Sequence, residues 1–328
     1  MTSFRRSVLL TASLCLLVPA LSAQRQGGDC SYLVANQTYA NTFQGFLNIP
    51  VYFAALNLPT PPGMGLVPNA GAGKITFFSG GTAANVETIS IGWLGLKTDV
   101  LINGPFKLSW DTGKTPALCS GTFSGSDGQT NYNFQLIVTQ NGRRVEMIHT
   151  DAGLVVGASS VLMETRGCHN SAIAGSYSYN TLGWALAPGY PVEQSLANTE
   201  ISGLGYVPGS MSGAMRFYPK LPPSKSAFPD APAGSGTVLA WDTLSANGTI
   251  LKRTMTGWYK VDPLDCQGTI VLNDNVYPPY QIEVFVGADG ETLHAVNVNV
   301  ADPKLGIGPV PTFLMPISLE RVSDGEDQ

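Results

Sequence analysis

The sequence predicts an all-β protein built from two tandem antiparallel units of about eight strands each. Three observations predict it. Apolar residues alternate in 132–138 (Tyr132, Phe134, Leu136, Val138) and again in 280–286 (Tyr280, Ile282, Val284, Val286), the period of a strand with one buried face. Each run leads into a turn dipeptide, Asn141-Gly142 or Asp289-Gly290, suited to the positive φ angles of a tight hairpin. Finally, Gly 37 and Pro 23 in 328 residues punctuate the chain, and beyond its first residues no long window keeps a helical period.

Taken in order, the chain opens with Arg5-Arg6, an apolar run over 7–18, Pro19 and the small residues ending at Ala23. That is the pattern of a cleaved secretory signal peptide over residues 1–23, and the run is too short for a transmembrane helix. Leu14 stands where a lipoprotein signal carries a small residue before its cysteine, so Cys15 predicts no lipid anchor. The mature chain shows no later run long enough to span a bilayer. Its destination is therefore the periplasm or the exterior.

Two copies of one unit follow, over 24–167 and 168–322. Gly45-Phe46-Leu47-Asn48-Ile49-Pro50 matches Gly183-Trp184-Ala185-Leu186-Ala187-Pro188 at an offset of 138, as Cys30 matches Cys168. Gly63 to Gly73 matches Gly203 to Gly213 at 140, Gly104-Pro105-Phe106-Lys107-Leu108 matches Gly257-Trp258-Tyr259-Lys260-Val261 at 153, and Cys119 matches Cys266 at 147. The order is colinear, and the jump to 153 places an insertion at the Pro-rich stretch 221–236, read as a surface loop. A period near 150 is that of a duplicated domain rather than a solenoid repeat. In the first copy strands are expected at 39–46, 74–78, 86–93, 99–108, after Cys119, 132–138, 143–150 and 160–166, with 59–71 as a loop. In the second they are expected at 176–184, 214–218, 237–244, 249–261, after Cys266, 280–286, 293–300 and 313–321. Eight such strands form a barrel or a sandwich, and closure into a barrel is favoured because it removes edge strands. The last residues, 323–328, read as an acidic solvated tail.

After cleavage four cysteines remain, an even number in an oxidising compartment. Equivalence of the copies predicts the pairs Cys30 with Cys119 and Cys168 with Cys266. Isolated cysteines do not have zinc-ligand spacing, so no metal site is expected.

No catalytic constellation or cofactor motif is legible. His149, His169 and His294 are not repeat equivalents, there is no Gly-x-Ser-x-Gly elbow, and the phosphate-loop-like stretch 69–74 lacks its first glycine and its Ser or Thr. Asp127 and Asp274 read as turn formers. Only 12% of residues are charged and the net charge is −5, falling to −7 (16 basic against 23 acidic residues) after cleavage, which excludes nucleic acid as a partner. The aromatics Tyr39, Phe46, Tyr179 and Trp184 open the two copies and are the candidate lining of an interior for a small apolar ligand; the competing reading places such residues in a filled core.

The succession of cysteine, Gly-aromatic strand, Gly73-Lys74-Ile75-Thr76-Phe77-Phe78, Gly-x-Phe-Lys-Leu or Gly-Trp-Tyr-Lys-Val, Cys-x-Gly-Thr and the alternating strand with its turn resembles uncharacterised secreted bacterial β-barrel proteins. These are similar in fold to allene oxide cyclase and lipocalin-like barrels. The resemblance implies a scaffold and an interior, and it carries no catalytic residue. Three functions follow as expectations: an exported non-catalytic binding or envelope-associated protein, a structural or interaction protein with filled barrels, and a cyclase- or isomerase-like barrel enzyme. A hollow interior separates the first and third from the second.

Overall fold

The structure, a computed structural model, describes residues 28–55, 59, 65–91, 95–113, 117–163, 167–186, 206–222, 228–246, 248–288, 290–298 and 313–322. The expected signal peptide and acidic tail lie outside them.

The chain forms two closed antiparallel barrels. In the first, β1 (Gln37–Asn48), β2 (Leu66–Phe77), β3 (Thr82–Ile91), β4 (Gly95–Asp111), β5 (Leu118–Ser126), β6 (Asn131–Thr139), β7 (Arg144–His149) and β8 (Leu154–Leu162) pair in chain order. Pairing of β8 with β1, from Tyr39↔Leu162 to Leu47↔Leu154, closes the ring and leaves no free edge. The second barrel repeats this with β9 (Gly175–Leu186), β10 (Tyr206–Tyr218), β11 (Gly236–Ala246), β12 (Thr249–Val261), β13 (Gln267–Asp274), β14 (Tyr280–Val286), β15 (Thr292–Asn297) and β17 (Pro316–Arg321). The short β16 (Phe313–Leu314) pairs with β9 beside β17, and β9 pairs with β10 to close the ring. The barrel alternative is the one the chain adopts.

One end of each barrel is packed in the same way. The turn after β6 puts Asn141 and Gly142 at φ 55° and 88°, as the Asn-Gly dipeptide predicts, and the Gly142 carbonyl accepts a hydrogen bond from the Tyr39 hydroxyl. In the second barrel Tyr177, at the repeat offset of 138, donates to the Gly290 carbonyl at 2.6 Å. Behind each tyrosine runs an edge-to-face aromatic series. Tyr39, Phe77 and Phe106 have ring centroids 5.7 and 4.9 Å apart; Tyr177, Phe217 and Tyr259 have them 5.5 and 5.0 Å apart. Such pairs contribute about 0.5–1.5 kcal/mol each beyond the area they bury.

The cysteines pair within copies as predicted: Cys30 with Cys119 (Cα–Cα 6.1 Å) and Cys168 with Cys266 (5.2 Å). By the chain-entropy relation, loops of 89 and 98 residues each stabilise the fold by about 4.6 kcal/mol. Non-reducing peptide mapping is expected to recover these two links, and reduction to lower the urea midpoint of the protein; a cross-copy link would contradict the duplicated organisation.

Two stretches differ from the sequence expectation. β2 and β10 begin at Leu66 and Tyr206, well before the expected 74 and 214, so part of the stretch read as a loop is strand. The turn-like composition of 68–73 has another cause. At the inward positions Gly71 and Gly73 a Cβ would meet the Phe43 ring at 2.0 Å and the Val86 carbonyl at 2.2 Å, with the Asn41 side chain also close to Gly73 at 3.1 Å. The outward Ala70 and Ala72, with Ala40 of β1, lie against the core of the second barrel. Small residues are needed on both faces, and small residues mimic a loop. The contact between barrels also holds a Thr42 Oγ1 to His294 Nδ1 hydrogen bond of 3.2 Å and a partly exposed Lys74–Asp265 ion pair of 3.1 Å. Of the insertion's described residues, Leu221, Phe228 and Ala231 cover Trp258 and Val271 in a small cluster separate from the main core of the barrel.

Candidate functional site in the first barrel

Register fixes which side chains of the two interiors are equivalent. In the first barrel Asn41 faces Gly73, Gly73 faces Glu87, and Glu87 faces Val100. In the second, the same chain of pairings runs Tyr179, Gly213, Asp242, Arg253. Both barrels therefore point an acid inward from their third strand, at matching height. Their neighbours differ.

In the second barrel the acid is neutralised. Arg253, 2% exposed, donates through Nε to Asp242 Oδ1 at 2.8 Å, through Nη2 to Asp242 Oδ2 at 2.5 Å and through Nη1 to Asp274 Oδ2 at 2.9 Å. Its guanidinium lies 4.6 Å from the Phe313 ring centroid, and Tyr179 donates a further bond to Asp242 at 2.7 Å. Charge, donors and ring face fill the interior at this level.

In the first barrel Val100 stands where Arg253 stands in the second, and a space opens. The cavity has a volume of about 130 Å³, and its apolar wall includes Phe43, Ile102, Phe134, Met147 and Val156. Its polar lining is Glu87, Asn69, Asp127, Tyr132 and His149. Glu87 is 6% exposed; Asn85 Nδ2 donates to its Oε1, and Asn41 Nδ2 in turn donates to Asn85 Oδ1 at 3.0 Å. Among the described residues no cation pairs with Glu87. Burial pushes its carboxyl up to about 7, against the opposing pull of the Asn85 bond. Asn69, 7% exposed, has an Oδ1 with no hydrogen-bond partner among the described residues.

Around the rim Asp127 behaves as the turn former expected of it, accepting from the N–H groups of Gln129 and Thr130 at 2.8 and 2.7 Å, and it also accepts from the Tyr132 hydroxyl at 3.0 Å. Asp274 caps its own turn through the Val276 N–H but is also a buried partner of Arg253, a role its sequence context does not announce. His149 ends β7 against Phe134, with ring centroids 4.0 Å apart, and burial lowers its pKa in spite of Asp151 at 3.5 Å. Over the same end, the short helix α1 (Ile49–Ala55) places Ile49 with Leu47, Val67 and Leu154, of which Leu47 and Leu154 also line the cavity.

The four aromatics singled out from the sequence do not gather in one space. Tyr39 is buried in the packed end of the first barrel and Tyr179 in the second beside Asp242; neither lines the cavity. Phe46 and Trp184, repeat equivalents, meet edge to face at 5.9 Å and line an open groove between the barrels, of about 1420 Å³, with the exposed side chains of Ile148, Val155 and Leu182. Phe43, Asn69, Met147, Val156 and Ala158 border both spaces.

Sequence reasoning missed Glu87, Asn41, Asn69, Asn85 and Arg253. A signal for the acids was present: Glu87 and Asp242 occupy inward positions of equivalent strands, at an offset of 155, among apolar residues of the same face. His294 lies buried between the barrels and His169 is exposed on the surface. Among the described residues no three His, Cys, Asp or Glu side chains converge as metal ligands do, and no helix is long and apolar enough to cross a membrane. In sequence the chain matches no protein-family model and none of the curated proteins.

Proposed function

We propose that this is an exported, non-catalytic binding protein whose first barrel holds one small, mainly apolar ligand and whose second barrel is a filled structural companion. The observation that carries the reading is the contrast between equivalent interiors: a cavity of about 130 Å³ in one, a buried arginine cluster in the other. That volume is close to the roughly 150 Å³ of an engineered cavity that takes up benzene, so the ligand class is one of a single ring or a short branched chain. Export is supported by the two disulfides, which persist in oxidising compartments, and by the leader pattern of residues 1–23. The likeness to secreted bacterial and lipocalin-like barrels belongs to the same reading and rests on the sequence motifs quoted above.

Toluene tests it. A ligand that binds only the folded state stabilises by about 2.7 kcal/mol at a hundred times its Kd, which raises Tm by several degrees. The rise is expected to disappear in Val100→Phe, which fills the cavity, and to persist in Trp184→Ala, which alters only the groove. A rise lost in Trp184→Ala and kept in Val100→Phe would place binding in the groove and overturn the reading.

A further inference from the structure

The second barrel shows what the acid of the first is shaped to receive. At the Val100 position Arg253 brings a cation onto Asp242, and the same guanidinium lies against apolar groups, with Met211 Sδ 2.8 Å from Nη2 and the Phe313 ring centroid 4.6 Å from Cζ. It occupies its barrel as a ligand would. The first barrel has the carboxyl, the apolar wall and the space, but among the described residues no cation on the carboxyl. Building on the binding function proposed above, we propose that the first-barrel cavity is a site for a small organic monocation, an ammonium or guanidinium head on a compact apolar body.

The head sits against Glu87. Asn69, four residues along β2 from the Gly73 that faces Glu87, lines the same cavity farther along, and its Oδ1, unpartnered among the described residues, is a second acceptor there. An ammonium offers three N–H donors, enough for the Glu87 carboxylate. Asp127, held by its turn and by Tyr132, adds negative potential from the rim, and His149, kept neutral by burial, does not oppose it. The body of the ligand lies against Phe43, Phe134 and Met147, whose rings and thioether make an apolar wall. An anionic ligand would meet Glu87 and Asp127 and be rejected.

Calorimetric titration at pH 8 with benzylamine, toluene and benzoate distinguishes the outcomes. The expected result is benzylamine bound at least tenfold more tightly than toluene, with no binding of benzoate. In Glu87→Gln the preference for benzylamine falls to within about twofold of toluene. A second variant, Val100→Arg, supplies the cation internally as the second barrel does and is expected to abolish binding of both compounds while the protein stays folded by circular dichroism. Toluene bound as tightly as benzylamine by the native protein, or a preference that Glu87→Gln leaves intact, overturns the cation assignment while sparing the cavity reading. Binding of none of the three overturns both.

Discussion

Arg253→Met is expected to lower the unfolding free energy by about 3–5 kcal/mol, the largest loss of any single substitution considered for this chain. The substitution leaves Asp242 and Asp274 buried without their shared cation, and a buried charge lacking its partner costs more than the pair contributes. It also empties the space that distinguishes the second barrel from the first. Adding Asp242→Asn to Arg253→Met is expected to recover a large part of the loss, because the orphaned carboxylate is then removed. Urea denaturation of the native chain, the single and the double variant at one pH reads the effect. A loss below 1 kcal/mol for Arg253→Met would mean that Arg253 reaches solvent and does not fill the barrel.

Glu87→Gln is expected to be more stable than the native chain at pH 8 and nearly equal to it at pH 4. The carboxyl titrates near 4.5 when unfolded and near 7 when buried, so the native state holds its proton over a range in which the unfolded state has lost it. Its contribution is greatest below pH 4.5 and is lost as pH rises through 7. A shift of that size changes the stability difference between variant and native chain by about 3 kcal/mol between pH 4 and 8. His294 acts in the opposite sense. Burial lowers its pKa from 6.5 to about 4, so stability is kept above 6.5 and lost as pH falls towards 4. The two slopes oppose each other between 4.5 and 6.5, and only the difference between Glu87→Gln and native protein isolates the carboxyl. A difference independent of pH would show Glu87 to be solvated.

The strands, the duplication and the disulfide pairs were legible because each is a local or periodic signal. Alternation in 132–138, the Asn141-Gly142 turn and the offset of 138 linking Cys30 to Cys168 need no knowledge of what packs on what. The start of β2 was not legible, since Gly71 and Gly73 owe their small size to neighbours on the paired strands, the Phe43 ring of β1 and the Val86 carbonyl of β3. The site was hidden for a related reason. Glu87 and Val100 are adjacent only through strand pairing, and the difference between them and Asp242 with Arg253 becomes visible only when the third and fourth strands of both copies are placed in register. Aromatic residues were the natural guess for a lining, yet Tyr39 serves the closed end of its barrel and Trp184 faces outward into the groove.

Methyl NMR of the intact protein, titrated with benzylamine, tests the central claim most directly, because three sets of methyl groups report on three separate spaces. Leu47, Ile89 and Ile102 line the cavity; Ile148, Val155 and Leu182 line the groove; Leu244, Ile270 and Leu272 lie in the core of the second barrel. A hollow first barrel beside a filled second one predicts saturable shifts in the first set alone. Shifts confined to the groove set, or of equal size in the second-barrel set, would contradict it.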